Sequence, residues 1–431
     1  MKPLWSENRE IAQREELRRE QKTDVLIVGG GLAGLLCAYW LREKGVDYLL
    51  AEGGRIGAGV TAKTTAKLTS QHGLIYSTLT KSGGAEKAGQ YLRANEAALQ
   101  KYRELCRDWD CGFEEKPAFV YSLDDRAKIE KEVEAVNRLG CKAEFVAETP
   151  LPLSIAGAVK FERQAQFHPL KFIARLADGL NIYENTFIRK IEGRTAFTEH
   201  ARISAERIVI ATHFPFFKFR GGYFVKMYQH RSYVIALAGA QDAAGMWVDE
   251  KPDGLSFRNY QDLLLLGGGD HRTGKKGGGW QELRRFAEQA YPAAEECFYW
   301  ATQDCMTLDG VPYIGRLAAS DPRLYVATGF NKWGMTSAMV SGMLLSDMLS
   351  DRENEFAGLF SSRFKPNRQF FLNGLEAAAN LLKPSGRRCT HLGCALKWNS
   401  AQRSWDCPCH GSRFDEEGRL LENPAVKKAK V

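Results

Sequence analysis

Three features that would each define a class of protein are missing from this sequence. No apolar run approaches the roughly 18 consecutive residues that a membrane-spanning helix needs. Residues 1–21 are polar and lack the apolar core of a secretory signal. The net charge of +8 is mild, and the basic residues are scattered apart from a short KKAK tail. We therefore expect a cytoplasmic protein with no membrane span and no nucleic acid among its partners.

Cysteine is unevenly spread along the chain. The 431 residues are enough for two or three domains with a large core. Six of the ten cysteines are dispersed, as expected for reduced and mostly buried thiols: Cys37, Cys106, Cys111, Cys141, Cys297 and Cys305. The other four crowd into the last tenth of the chain and require a local explanation: Cys389, Cys394, Cys407 and Cys409.

The stretch VLIVGGGLAG, residues 25–34, has the pattern of a nucleotide-binding turn. Gly29, Gly31 and Gly34 follow an apolar run with the spacing G-x-G-x-x-G, a helical pattern comes next, and a second apolar run ends in Glu52. The first glycine allows the tight turn, the second lets a pyrophosphate approach the backbone, and the third lets the helix pack closely on the strand. Glu52 would accept a hydrogen bond from a ribose hydroxyl. This order predicts dinucleotide binding rather than a glycine turn that only packs a helix on a sheet.

A second glycine-rich segment, GDHRTGKK at residues 269–276, resembles a phosphate loop. It lacks the final Ser or Thr, and a run of glycines stands where the helix should begin. We assign no nucleotide to it.

Periodicity predicts the remaining elements. Residues 1–22 are interpreted as a polar helix or arm, and residues 85–108 and 125–138 as amphipathic helices. Further helices are predicted in HPLKFIARLADGL, GWQELRRFAEQAYP, GMTSAMVSGMLLSDML and RQFFLNGLEAAANLL, with strands between most of them. The loop GGRIGAGVTAKTTAKLTSQHG directly follows Glu52, and its small and hydroxyl residues could lie along a cofactor.

Several ordered motifs resemble the flavin-dependent D-amino-acid oxidase superfamily, in its amine and glycine oxidase branch. These are the glycine fingerprint, TTAKLTSQHG, the strand ending IVIAT, LDGVPYIG and ATGFNKWGMTSAMVSG, over about residues 20 to 355. The resemblance implies FAD rather than NAD. The lack of a second complete G-x-G-x-x-G agrees, because flavoproteins that also bind a nicotinamide usually need another such site.

The resemblance also implies which residues contact FAD. Gly29, Gly31, Gly34 and Glu52 would hold its ADP half, and Thr212 would lie near the adenine. Thr64, Thr65, Gln71, His72 and Gly73 would run beside the isoalloxazine ring. Gly329, Lys332, Gly334, Met335 and Thr336 would place a helix N-terminus at the pyrimidine edge, where positive potential stabilises reduced flavin.

Departures from the family bear on the substrate. Similar amino-acid oxidases carry an Arg shortly after the SQHG loop and a Lys where this chain has Thr336, whereas LIYSTLTK follows here. Both departures argue against an α-amino acid. Oxygen-using members place a Lys in the strand that here reads DLLLLGG, which argues against an oxidase. His72, His271 and Lys332 are the catalytic candidates; the alternatives are structural histidines and a surface lysine.

The C-terminal cysteines alternate with histidines. Cys389 and His391 form C-x-H, and Cys407 and His410 form C-x-x-H. Two cysteines and two histidines so arranged resemble the ligands of a Rieske [2Fe–2S] cluster, in which histidines hold one iron. Zinc remains the alternative for the same four residues. Histidine ligation raises the potential to roughly −150 to +300 mV, which suits an acceptor of flavin electrons.

The resemblance to Rieske domains implies two further points. Cys394 and Cys409 stand where the family has a disulfide that ties the ligand loops together. The strands that normally precede the first ligand loop are missing, because a helical stretch reaches Cys389 after only KPSGRR. We therefore expect a small, truncated Rieske-like β module.

The expected fold class is an α/β (α+β) two-domain flavoprotein with this module added. A Rossmann-like FAD-binding domain would comprise residues 20–80, 150–222 and 306–360, and a mixed-sheet substrate domain residues 81–149 and 223–305. A helical linker at 361–388 would lead to the iron–sulfur module at 389–431.

Three functions follow as hypotheses. The first is an FAD-dependent oxidoreductase that takes a hydride from a small amine or related C–N substrate and sends electrons through the Rieske cluster to an external acceptor, such as a protein. The second is a flavin oxidase reoxidised by oxygen, with a vestigial or zinc-binding tail. The third is a non-enzymatic electron-transfer or redox-sensing flavoprotein.

Overall fold

The apolar run before the glycine turn forms the centre of a mostly parallel sheet. In the computed structural model, which describes residues 3–6, 11–277, 279–362 and 366–431, this strand pairs in parallel with its neighbours on both sides. Val25 to Val28 are buried, as expected where helices cover both faces of a parallel sheet. The strand order in this first sheet is β16 (Tyr313–Ala318), β17 (Asp321–Thr328), β10 (Arg202–Ile210), β1 (Gln21–Val28), β2 (Tyr48–Ala51) and β7 (Ile182–Tyr183), with β8 (Lys190–Glu192) and β9 (Thr195–Phe197) beside β10.

A second, mixed sheet stands beside the first and carries the long alternating strands. Its central pairs are antiparallel, and one parallel pair joins its two halves. The order is β15 (Glu295–Thr307), β11 (Met227–Ala238), β14 (Leu263–Arg272), β13 (Ser256–Tyr260), β12 (Met246–Asp249), β4 (Glu114–Ser122), β6 (Gly157–Gln166) and β3 (Lys67–Leu68), with β5 (Ala143–Val146) beside β6.

Helices cover these sheets and link the third one. They are α1 (Leu32–Glu43), α2 (Ile75–Cys106), α3 (Arg126–Arg138), α4 (Pro169–Leu176), α5 (Tyr223–Lys226), α6 (Gly279–Ala290), α7 (Gly334–Leu349), α8 (Ala357–Phe360) and α9 (Arg368–Leu382). The helices α1 and α7 lie close together, as the surroundings of Gly342 show: a Cβ added there would stand 2.9 Å from the backbone of Leu36. None of the helices in the described ranges combines the length and apolarity that crossing a bilayer would require.

The C-terminal module is a small antiparallel sheet. It consists of β18 (Lys397–Asn399), β19 (Ser404–Asp406), β20 (Arg413–Phe414) and β21 (Leu420–Glu422), in that order. The crowded cysteines form its core together with Leu396, Phe414, Ala425 and Ala429. The expected fold class, a two-sheet α/β protein with a small C-terminal β module, is confirmed.

Two segments complete the comparison with the sequence. The strands β3 and β6 lie in the ranges predicted for the FAD-binding domain and pair with the mixed sheet, and the domain bounds themselves stay a prediction. Of the two alternatives predicted for the N-terminal segment, a polar helix or an arm, the described residues agree with the arm: Leu4–Ser6 form a short 3₁₀ turn and residues 11–20 form no helix. That segment is held instead by tertiary contacts, since the buried Trp5 donates a hydrogen bond from Nε1 to the carbonyl oxygen of Thr64 at 2.7 Å.

Candidate functional site

The three glycines of the turn between β1 and α1 have different surroundings. Gly29 has a φ of +111°, and a Cβ there would lie 2.6 Å from the carbonyl oxygen of Ala211. A Cβ on Gly34 would lie 1.9 Å from the carbonyl oxygen of Gly29. At Gly31 the nearest atom is Thr61 Oγ1 at 3.6 Å. Gly29 and Gly34 are therefore required for packing, whereas Gly31 leaves its backbone accessible from the adjoining cavity.

That cavity has a volume of about 1010 Å³ and runs from the glycine turn to the mixed sheet. Such a volume is at the upper end for a small-molecule or cofactor site. Most of the residues predicted to contact FAD line it: Gly29, Gly31, Glu52, Thr64, Thr65, Gly73, Thr212, Gly334 and Met335. Lys332 lines it as well. The other candidate residues lie behind the cavity wall and not in its lining: Gly34, Gln71, His72, His271, Gly329 and Thr336.

Glu52 directly follows β2 and lies at the edge of the cavity. Its carboxylate accepts hydrogen bonds from the backbone N–H groups of Gly30 at 2.6 Å and Gly54 at 2.8 Å. Burial raises the pKa of Glu52 by more than these hydrogen bonds lower it. The acid is thus fixed between the glycine turn and the following loop, where a ribose hydroxyl could reach it.

His72 lies behind the cavity wall. Its Nε2–H donates to the carbonyl oxygen of Thr69 at 2.8 Å, and Nδ1 accepts from the hydroxyl of Tyr91 at 2.6 Å. Burial lowers its pKa to about 3, so the ring is neutral. The ring also stacks on Trp333 with 5.0 Å between centroids and lies 2.9 Å from Thr336 Oγ1. These contacts hold His72 against the start of α7, and the catalytic role of His72 stays a prediction.

His271 also acts from behind the wall. Its Nε2 accepts from the hydroxyl of Tyr233 at 2.9 Å, and its Nδ1–H donates to the carbonyl oxygen of Arg272 at 2.9 Å. Burial lowers the pKa of His271. Because Tyr233 lines the cavity, His271 orients a cavity residue and does not face the cavity itself.

Lys332 faces the cavity from the turn between β17 and α7. Its Nζ pairs with Asp270 Oδ1 at 3.1 Å and donates to the carbonyl oxygen of Pro252 at 3.0 Å. Lys332 has a φ of +70°, in the left-handed region that disfavours side chains. Strain of this kind is concentrated at functional sites, and here it turns the chain into the N-terminus of α7.

Two cavity residues were missed by the sequence reasoning. Asp304, on β15, has no ion pair within 4 Å among the described residues, and burial raises its pKa to about 6 although Lys332 lowers it. Lys67 donates to Thr65 Oγ1 at 3.2 Å, and burial, aided by Arg258, lowers its pKa to about 7. Lys67 stands within the TTAKLTSQHG motif and could have been singled out there, whereas nothing in the sequence marked Asp304.

Two tight loops bring the predicted cluster ligands together. The first loop closes with the N–H of Gly393 donating to the carbonyl oxygen of Cys389 at 3.0 Å, and the second with Gly411 donating to Cys407 at 2.9 Å. The rings of His391 and His410 are 5.0 Å apart and perpendicular. The thiols of Cys389 and Cys407 are near enough to hydrogen-bond, and this contact and burial raise the pKa of Cys389.

The donor atoms of these loops fit an iron–sulfur cluster. Both ring nitrogens of His391 and Nδ1 of His410 are buried without a hydrogen-bond partner in the described part of the chain. Burial lowers the pKa of His391 to about 4 and of His410 to about 3, so both rings are in the neutral form that binds metal. Unpartnered buried nitrogens are costly, and coordination by two imidazoles and two thiolates would satisfy them.

The second cysteine pair lies in the same cluster of sulfurs. The Sγ atoms of Cys394, Cys407 and Cys409 are within 4.8 Å of one another, and all ten cysteines are present as free thiols. The Cys394–Cys409 disulfide therefore stays a prediction.

The second ligand loop packs against the mixed sheet. The side chain of Gln303 donates from Nε2 to the carbonyl oxygen of Gly411 at 2.9 Å. A Cβ on Gly274 would lie 2.7 Å from Pro408, which shows how closely the two backbones approach. His410 donates from Nε2 to the carbonyl oxygen of Phe224 at 3.0 Å. The histidine edge of the module thus faces the rest of the protein.

Known proteins resemble both parts of the chain. The pattern of the family described as FAD dependent oxidoreductase matches residues 24–348, and that of the Rieske [2Fe-2S] domain matches residues 379–431. YhfW of Bacillus subtilis, named as a Rieske 2Fe-2S iron-sulfur protein, is 33% identical over 99% of this chain and 96% of its own length.

Two further proteins each match one part. A cytochrome b6-f complex iron-sulfur subunit of a Nostoc species is 51% identical over 39 residues, which are 9% of this chain and 22% of that protein. The crystal structure of glycine oxidase from Geobacillus kaustophilus covers 80% of this chain and all of its own, with a TM-score of 0.66 and 21% identity. The first likeness concerns the C-terminal module, and the second shows the fold of the two large sheets.

Proposed function

Because the chain belongs to the family of FAD-dependent oxidoreductases and carries a C-terminal Rieske [2Fe-2S] domain, we propose that it joins their two chemistries. It oxidises a small amine or related C–N substrate and delivers the electrons through the cluster to an external acceptor. FAD, when bound, accepts a hydride, and the [2Fe–2S] cluster carries single electrons.

The contact between His410 and the cavity wall carries this proposal. Thr212 and His213 line the cavity, and the next residue, Phe214, places its ring 6.2 Å from the ring of His410. Phe224 also contacts His410, with 6.2 Å between the ring centroids. A cluster ligand therefore lies against the buried Phe214, which directly follows residues that line the flavin cavity.

The cavity wall formed by the mixed sheet supports an amine substrate. The lining arginines of the described chain, Arg55 and Arg189, are paired with Glu184 and Glu199. Neither belongs to the mixed sheet, so no arginine on that wall is available for a substrate carboxylate. Asp304 instead offers a carboxylate, which would attract a protonated amine.

The first turn of α7 supports acceptance of negative charge. Gly334 and Met335 line the cavity at the N-terminus of this 16-residue helix. A helix N-terminus carries partial positive charge and free N–H groups. These groups stabilise the charge that accumulates when a bound flavin is reduced.

Anaerobic mixing of purified protein with a panel of small amines tests the proposal. A substrate should bleach the flavin absorbance and then produce the EPR signal of the reduced cluster. The Cys389→Ser variant, compared at equal FAD content, is the matched control, because its bound flavin should bleach equally but no cluster signal should follow. Flavin bleaching without any cluster signal in the unmodified protein would refute the relay.

Adding oxygen to the reduced samples, or a protein partner in place of the amine, separates the other two hypotheses. A flavin oxidase would be reoxidised by oxygen equally fast in the unmodified protein and in Cys389→Ser. An electron-transfer protein without an organic substrate would be reduced by a protein partner and by no amine in the panel.

A further inference from the structure

The Rieske module forms part of the wall of the flavin cavity. Eight of its residues line the same cavity as the glycine turn: Leu420, Leu421, Glu422, Asn423, Ala425, Val426, Lys427 and Lys428. They belong to β21 and to the segment after it, which we call the C-terminal wall, residues 420–428. We propose that this wall is a component of the FAD-binding site, so that FAD is held jointly by the oxidoreductase domain and the Rieske module.

Asn423 attaches the C-terminal wall to the first sheet. Its side-chain Nδ2 donates hydrogen bonds to the carbonyl oxygens of Thr212 and Phe214, the latter at 2.9 Å. Thr212 directly follows Ala211, the residue after β10 whose backbone packs against Gly29. One side chain of the module therefore fixes the backbone at a point where the cavity wall meets the glycine turn.

Glu422 attaches the wall at a second point through buried charges. It lies 3.3 Å from Lys63 Nζ, in the segment that follows Glu52, and 3.2 Å from a guanidinium nitrogen of Arg231 on β11. Arg413, within the module, lies 3.3 Å from the same carboxylate. The side chains of Arg231 and Glu422 are 1% and 14% exposed, so the attachment is shielded from solvent. Both large sheets are thereby joined to the module at the edge of the cavity.

The cluster loops hold the other side of the wall. The N–H of Ala425 donates to Ser412 Oγ at 3.0 Å, and Ser412 lies in the second ligand loop. Thr390, in the first ligand loop, donates from its hydroxyl to the carbonyl oxygen of Lys427 at 2.7 Å. Order in the two ligand loops is thus transmitted directly to the segment that lines the cavity. Loss of the cluster should therefore loosen FAD.

Lys427 and Lys428 add positive charge at the edge of the cavity. Both are exposed, and both line it. The pyrophosphate of FAD is anionic, and the first binding element for it is the helix N-terminus after Gly31. The two lysines on the C-terminal wall add a second, weaker attraction for the same pyrophosphate.

FAD affinity provides the test, measured from the rise in free-flavin fluorescence when holoprotein is diluted. Asn423→Ala should raise the Kd for FAD about tenfold, because the two hydrogen bonds that hold the wall against Thr212 and Phe214 are lost. The Lys427→Ala/Lys428→Ala double variant should raise it by a smaller factor, up to about fivefold. Glu416→Gln is the matched control, because Glu416 pairs with Arg403 on the exposed side of the module and should leave the Kd unchanged.

The outcomes are decisive in either direction. An unchanged Kd in Asn423→Ala, with its cluster EPR signal intact, would overturn the inference. If Asn423→Ala loses the cluster signal, the double lysine variant decides, since it alters only exposed side chains: a raised Kd supports the inference, and an unchanged Kd overturns it. The readout is FAD affinity alone, so a failure of electron transfer would leave this result standing, and a failure here would leave the proposed relay open.

Discussion

At the scale of single residues, burial separates structural groups from reactive ones. His72 and His271 have both ring nitrogens engaged behind the cavity wall. Their positions in the sequence made them catalytic candidates, because a motif does not show whether its histidine is buried and neutral or acts in catalysis. Asp304 was invisible in the sequence, because one acid in an alternating strand is ordinary. Only the pairing of strands brings it to the cavity beside Lys332.

Asp304 gives the first prediction. Its pKa of about 6, raised by burial, means that the carboxylate becomes charged as the pH rises through 6. On the proposed function, the KM for a cationic amine should fall over that interval, because the charged form attracts the substrate. Asp304→Asn should raise KM and abolish this pH step, measured by anaerobic flavin reduction at pH 5 to 8. Asp253→Asn is an exposed control on the same domain. A pH step that persists in Asp304→Asn would contradict the assignment.

At the scale of elements, local signals placed the helices well. Helix α3 covers Arg126–Arg138, where residues 125–138 were predicted, and α4 begins at Pro169 with His168 accepting from the N–H of Lys171 at 3.2 Å. Helix α2 begins at Ile75, ten residues before the predicted start. It has a kink at Gly84, whose φ of 83° is not helical, and the turns before this kink were not predicted. The paired glycines explain why periodicity predicted only the later part.

The glycine turn gives the second prediction. Gly29 and Gly34 have no room for a Cβ, whereas Gly31 has room for one. Gly34→Ala should destabilise the fold by about 1–3 kcal/mol, the cost of overpacking, because the Cβ would overlap the backbone of Gly29. Gly31→Ala should retain the melting temperature and weaken FAD binding, since its Cβ has room but projects toward the cavity. Thermal unfolding of the apoprotein and FAD titration distinguish the two variants. Equal losses of stability in both would refute the distinction.

At the scale of the whole molecule, the Rieske module is integrated into the oxidoreductase body rather than appended to it. Its ligand loop packs on the mixed sheet through Gly411 and Pro408, and its last strand lines the flavin cavity. The missing base strands noted in the sequence are consistent with this arrangement, because the surfaces of the two large sheets support the module.

Glu422 gives the third prediction at this scale. Burial alone would raise its pKa, but Arg413, Arg231 and Lys63 outweigh burial and hold the pKa well below its usual range. A carboxyl with a lowered folded pKa stabilises the native state above its unfolded pKa of about 4.3, and the contribution is lost as the pH falls through the folded pKa. Attachment of the module should therefore be constant from pH 7 to about 5 and weaken below about 4.

Glu422→Gln should remove this dependence and destabilise the protein by about 3–5 kcal/mol, because Arg231 would remain buried without a counter-charge, whereas Arg413 keeps its pair with Asp406. Thermal unfolding as a function of pH measures both effects, with Glu416→Gln as the control. An unchanged pH profile in Glu422→Gln would show that other groups hold the module.

The sequence by itself determined the cofactors and the class of fold. Glycine spacing, an acid after the second strand and paired Cys–His motifs are local patterns, because each reflects backbone geometry or ligand chemistry over a few neighbouring residues. They predicted a dinucleotide site and a metal site, and the resemblance to known families implied that these hold FAD and a [2Fe–2S] cluster. Only the tertiary structure decided which candidate side chains face the cavity and where the module packs. Those outcomes depend on contacts between residues far apart in the chain, such as Asn423 with Thr212 and Glu422 with Arg231, which no local pattern encodes.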